Sequence, residues 1–269
     1  MSKTKEKKAP IGVFDSGLGG LTVVKALKKF LPHEDIVYFG DTARVPYGNK
    51  SKEAIIRFSR ENAEILLRFK VKLIVVACNS SSSYALNALQ RRYRVPVLGV
   101  IVPGAEKAAG LTRNKRVGVI ATTATIKSGQ YTRWIKHFAK GARVFGQSCP
   151  LFVPLAEEGW LKRKVTVAVA EEYLRHLRAH KVDTVILGCT HYPLLKNVIQ
   201  GVLGRGVRLV DSATEVALQV KAKLEHEHLL RQRGKGKEKF LVSDKPQEFG
   251  KVARNFLGKS IKATKITNV

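Results

Sequence analysis

Along nearly the whole chain, short apolar runs alternate with amphipathic stretches, and few folds accept that alternation. Apolar runs fall at residues 11–14, 36–39, 73–77, 97–100, 116–121, 142–146, 184–187 and 207–210. Between them lie helical stretches at 21–30, 52–69, 81–93, 103–110, 130–138, 165–180 and 213–230. In one of these, Ile55, Ile56, Ala63, Leu66 and Leu67 recur with the period that gathers apolar side chains on one helix face. Strand then helix, repeated, is the pattern of a parallel sheet covered by helices. The pattern restarts after residue 100, so two α/β halves are expected in succession. A Thr-rich turn is expected before 130, and a loop carrying Glu157 and Glu158 after Cys149. Gly234-Lys235-Gly236 marks a break, followed by one more strand at 240–242 and one more helix at 247–257.

A chain of 269 residues with 44% hydrophobic and 26% charged residues can bury a real core and is not globally disordered. No apolar run has the length of a membrane helix. The basic start, MSKTKEKKAP, is not followed by an apolar signal core, so a cytoplasmic protein is expected. Net charge is +28, spread along the chain and not confined to one arm. The densest run, 231–239, lacks the interleaved aromatics that stack on bases. The expectation is a basic surface that attracts nucleic acid at most non-specifically.

Three cysteines, Cys78, Cys149 and Cys189, are too few and too scattered for a disulfide framework or a metal site. Two of them sit alike. Val75-Val76-Ala77-Cys78-Asn79-Ser80 and Val185-Ile186-Leu187-Gly188-Cys189-Thr190-His191 each run apolar strand, small residue, Cys, small polar residue. Such a cysteine lies at the carboxyl edge of a sheet, where α/β folds place ligands. A helix N-terminus beside it would favour thiolate. If the halves face each other, the thiols flank one cleft. One could then take a proton from a substrate carbon while the other returns one on the opposite face.

Other groups gather at strand ends. Asp15 closes the first strand, before Ser16-Gly17-Leu18-Gly19-Gly20. It could hold a substrate ammonium or orient a thiol. The glycines fail the dinucleotide fingerprint because Thr22 stands where a glycine is needed. They serve either a tight turn or a nest for a substrate carboxylate. His191 follows Cys189 closely enough to assist it. Pro46-Tyr47-Gly48 lies in the loop after Asp41 and offers backbone contacts, or is an ordinary turn.

Five stretches together resemble the glutamate racemases of the aspartate/glutamate racemase superfamily. They are Gly12 to Thr22 (GVFDSGLGGLT), Gly40 to Gly48 (GDTARVPYG), Val75 to Asn79 (VVACN), Cys149 to Gly159 (CPLFVPLAEEG) and Leu187 to Pro193 (LGCTHYP). They stand in the family's order over about residues 11–220; the tail after Leu230 is looser. The resemblance implies two facing α/β domains, 1–98 with 212–269 and 99–211, and an active site in the cleft between them. It implies cofactor-independent interconversion of L- and D-glutamate, supplying D-glutamate for peptidoglycan, and a homodimer. By the match, Cys78 and Cys189 are the acid/base pair, assisted by Asp15, His191 and Glu157. Asp15, Ser16, Tyr47, Gly48, Asn79, Ser80, Thr190 and His191 are implied as substrate contacts, with no metal. The family usually has Thr where this chain has Ser80, which keeps the hydroxyl and loses a methyl. His191 stands where aspartate racemases tend to have Glu, which favours glutamate over aspartate.

Overall fold

A strand covered on both faces must be buried at every position, and all five residues of β1 (Ile11–Asp15) are. The computed structural model describes residues 6–266. From β1 the chain runs through α1 (Leu21–Phe30), β2 (Ile36–Gly40), α2 (Lys52–Leu67), β3 (Leu73–Val76), α3 (Asn79–Tyr84), α4 (Leu86–Arg92) and β4 (Val97–Gly99). Next come α5 (Ile101–Leu111), β5 (Arg116–Ala121), α6 (Thr123–Lys127), α7 (Gln130–Phe138), β6 (Arg143–Ser148), α8 (Phe152–Glu157), α9 (Lys164–Ala179) and β7 (Thr184–Gly188). The last are α10 (Lys196–Leu203), β8 (Arg208–Asp211), α11 (Ser212–His226), β9 (Glu238–Val242), α12 (Pro246–Leu257) and β10 (Ala263–Lys265).

Among the described residues, ten strands form two sheets, in the orders β10-β9-β2-β1-β3-β4 and β6-β5-β7-β8. Every pairing is parallel. The second sheet is therefore inserted between β4 and β9 of the first. Helices cover both sheets, so the fold is two-domain α/β. α1 turns Leu21, Val23, Val24, Ala26 and Leu27 into the core. Each large apolar side chain there contributes about 1.5–3 kcal/mol over an exposed one. Lys28 and Lys29 end that helix, where positive charge suits its dipole. No helix among the described residues is long and apolar enough to cross a membrane.

Most elements fall within two residues of the expected bounds. The exceptions have physical causes. The stretch expected as one helix at 81–93 begins at Asn79 and breaks at Ala85 into α3 and α4. The Thr-rich turn is a helix, α6, capped by Thr122 accepting from the Thr125 N–H. The loop before Glu157 is also a helix, α8, because Pro154 falls in its first turn, where no N–H is missed. The helix expected to reach 230 stops at His226. His228 turns left-handed (φ 57°), and the N–H groups of Leu229 and Leu230 both donate to the Leu224 carbonyl.

Candidate active site

Each sheet reverses its strand order beside its first strand. β1 is flanked by β2 and β3, and β5 by β6 and β7. Crevices open at the carboxyl ends of strands at such points. Cys78 follows β3 and Cys189 follows β7, so each thiol stands at the reversal of its own sheet. Both line one cavity with Ser16, Tyr47, Gly48, Asn79, Ser80, Thr190 and His191. These are the expected substrate contacts except Asp15. Val45, Pro46, Thr122 and Val153 complete the wall. The cavity measures about 20 Å³, room for about one water, so an amino acid enters only if the walls part.

Asp15 is fully buried behind that wall. Its Oδ2 accepts from the Gly17 N–H at 3.1 Å, and its Oδ1 accepts from the Thr190 hydroxyl at 3.4 Å. Burial pushes its carboxyl up, opposed by the His191 charge and by the N–H groups of Gly20 and Gly17. Those two N–H groups therefore point at Asp15, which is the tight-turn reading of the glycine loop. Gly19 has a second duty. A Cβ there would stand 2.1 Å from Thr190 Oγ1 and 2.6 Å from His191 Nδ1, so only glycine lets the two domains approach at this point.

Cys78 caps α3, and its Sγ lies 3.8 Å from Ser16 Oγ. Burial and the Asp15 charge push its thiol up to about 12, against the Ser81 N–H and the Ser16 hydroxyl. The helix end does favour thiolate through the Ser81 N–H, but desolvation and the Asp15 charge outweigh it here. The Cys189 turn departs in another way. It is followed by a short 3₁₀ turn, Tyr192–Leu195, and α10 starts only at Lys196. Its neighbour is instead His191, whose Nδ1 lies 3.8 Å from Cys189 Sγ and whose Nε2 lies 2.9 Å from Glu157 Oε1. Burial pulls the imidazole down, but its bonds to Cys189 and Glu157 override this and bring it to about 10. Glu157 thus lies against His191 from the end of α8, while Glu158 is exposed. Phe256 of α12 packs edge-on against the imidazole, with ring centres 5.7 Å apart.

The remaining candidates form polar links around the cavity. The Tyr47 hydroxyl donates to Asp41 and accepts from Asn62 Nδ2 at 3.0 Å, so its polar end is already engaged. Ser80 Oγ meets Thr122 Oγ1 at 3.0 Å and Thr125 Oγ1 at 3.3 Å, joining the first domain to the second. Val45, Val153 and the polar Thr122 are the wall residues that sequence reasoning missed, and Thr122 alone of them carried a signal. Its signal was the Ala121-Thr122-Thr123 junction at a strand end, the same kind of position that marked the cysteines. Cys149 is wholly buried in the apolar core of the second domain. Among the described residues, no three of His, Cys, Asp and Glu converge as a metal site requires.

Two parallel sheets with a polar, thiol-bearing cavity between them define a two-domain α/β enzyme. The model of the Asp/Glu/Hydantoin racemase family matches residues 20–220. A glutamate racemase of Geobacter metallireducens is 53% identical over 92% of each chain. A solved glutamate racemase isoform of Bacillus anthracis superposes with a TM-score of 0.95 at 36% identity, covering 97% of this chain and 98% of that one. The Francisella tularensis glutamate racemase in complex with D-glutamate superposes with a TM-score of 0.91 at 38% identity, with the same coverage. The chain belongs to the Asp/Glu/Hydantoin racemase family and is an isomerase.

Proposed function

We propose that this chain interconverts L- and D-glutamate without a cofactor, by proton transfer at Cα between Cys78 and Cys189. The observation that carries the reading is the placement of one thiol from each domain on the wall of one cavity. The Francisella relative with D-glutamate bound supports glutamate as substrate. His191 beside Cys189 supports it over aspartate.

In the proposed reaction one thiolate takes the Cα proton, and the C–H electron pair moves into the substrate carboxylate. The opposite thiol then protonates the other face of Cα, leaving the two sulfurs with their protonation exchanged. The surroundings set the resting state. Cys78, buried beside Asp15, keeps its proton. His191 carries its charge between Cys189 Sγ and the Glu157 carboxylate. Ser16, Asn79, Ser80 and Thr190 offer hydrogen-bonding groups to the substrate. The domains of the proposal are 1–98 with 212–269 and 99–211. The enzyme works as a cytoplasmic homodimer, and its D-glutamate feeds peptidoglycan.

The test is the formation of D-glutamate from L-glutamate by the purified chain under reducing conditions, with no cofactor added and L-aspartate run in parallel. Conversion of glutamate alone is expected. Folded protein that leaves both amino acids unchanged would overturn the reading.

A further inference from the structure

One buried side chain touches both cysteine turns without reaching the cavity. Tyr131, in the first turn of α7, is 2% exposed and belongs to the second domain. Its hydroxyl donates to Asn79 Oδ1 at 2.8 Å, across the domain boundary, and Asn79 directly follows Cys78. Its ring lies against Gly188, the residue before Cys189: a Cβ there would stand 3.1 Å from Tyr131 Cε2. Ser212 Oγ, at the start of α11, lies 3.4 Å from both the Tyr131 hydroxyl and the Leu187 carbonyl. One phenol thus bears on the backbone before Cys189 and on the side chain after Cys78.

The hydrogen bond also decides which end of the Asn79 amide faces the cavity. Asparagine offers one acceptor oxygen and one donor nitrogen, and neighbours select between its two orientations. Burial pushes the Tyr131 phenol up, so it keeps its proton, and in the structure it donates that proton to Asn79 Oδ1. With Oδ1 held by Tyr131, Nδ2 is the end of the amide left for the cavity that Asn79 lines. A carboxylate accepts hydrogen bonds and repels a carbonyl oxygen, so this orientation suits an acidic substrate.

We propose that Tyr131 is a positioning residue that locks the Asn79 amide with its N–H groups toward the substrate carboxylate. The inference rests on the racemase reading and adds the device that orients its donor. Tyr131→Phe keeps the ring and removes the lock, so the amide turns over freely.

The test is a double-mutant cycle on glutamate racemisation with Tyr131→Phe, Asn79→Ala and the pair, which separates coupled from independent effects. Tyr131→Phe is expected to raise KM about fivefold to tenfold, the scale of one hydrogen bond, with kcat changed less than KM. In the Asn79→Ala background the same change should leave KM within twofold. KM effects that multiply in the pair, or an unchanged KM in Tyr131→Phe, overturn the proposal while the racemase reading stands. A wild type inert on glutamate overturns both. Should Tyr131→Phe not fold, the wild type decides. Its Asn79 side-chain amide resonance, identified by its loss in Asn79→Ala, should shift when glutamate is added. An unmoved resonance overturns the lock.

Discussion

The Cys78 and Cys189 turns occupy equivalent places in their sheets, yet their neighbours are of opposite character. Cys78 has a carboxyl behind it and a serine hydroxyl beside it, and burial holds its proton on. Cys189 has a histidine that keeps its own proton and a glutamate behind that. Geometric likeness therefore does not mean chemical likeness. In the proposed reaction, symmetric chemistry on mirror-image substrates runs on an asymmetric pair. Thermodynamics limits how that asymmetry can appear. L- and D-glutamate have equal free energies in solution, so kcat/KM must be equal in the two directions for every variant. Only kcat and KM taken separately can differ.

The largest test of this contrast removes either sulfur. Cys78→Ser and Cys189→Ser should each lower racemisation by about 10²–10⁴-fold or more, since each removes an acid/base group. Equal losses, measured by D-glutamate formation, would keep the two thiols equivalent as proton carriers. One variant retaining near-normal turnover would break the two-thiol reading. Next in size, His191→Asn should lower kcat by about 10–10²-fold, the loss of one charge-assisted hydrogen bond. The loss should differ between the L-to-D and D-to-L directions while the two kcat/KM values stay equal. Equal kcat losses in both directions would remove the asymmetry. Gly19→Ala forces a methyl into Thr190 and His191 and should cost about 1–3 kcal/mol in denaturant unfolding. An unchanged midpoint would mean that the contact yields.

The last effect is one of pH. The folded-state value of His191, about 10, lies above its ordinary 6.5. The folded protein therefore holds the proton longer than the unfolded chain. That contribution to stability is complete below pH 6.5 and is lost as pH rises toward about 10. Cys78 acts in the same direction at higher pH, with 9.0 raised to about 12. Melting temperatures at pH 7 and 9.5 should fall less in His191→Gln than in the wild type. A steeper fall in the variant would reverse the sign assigned here.

The fold was readable in the sequence where strands are buried on both faces, because continuous apolar runs have no other use there. β5, α1 and α7 fell on their expected bounds. β10 escaped because an exposed edge strand, Ala263-Thr264-Lys265, carries no apolar signal. α8 escaped because Pro150 and Pro154 read as breakers. In the site, Cys78 and Cys189 were marked by their shared strand-end pattern. Glu157 was marked only through family likeness and Asp15 by its strand end, and neither signal told that they meet His191 and Thr190. Their partners lie 34 and 175 residues away, beyond the reach of any local spacing rule. The rise of the Cys78 thiol was unreadable for a related reason. Desolvation belongs to the assembled core and to no single segment.

The insertion of one sheet within the other also orders events during synthesis. β2 pairs with β9, so Ile36 waits for Glu238 while about 200 residues are made. Until then β2, with the sequence IVYFG, presents an open apolar edge that other nascent chains can pair with. The second sheet, contiguous from β5 to β8, carries no such debt to later sequence. It can close as soon as it leaves the ribosome, ahead of the sheet that began first.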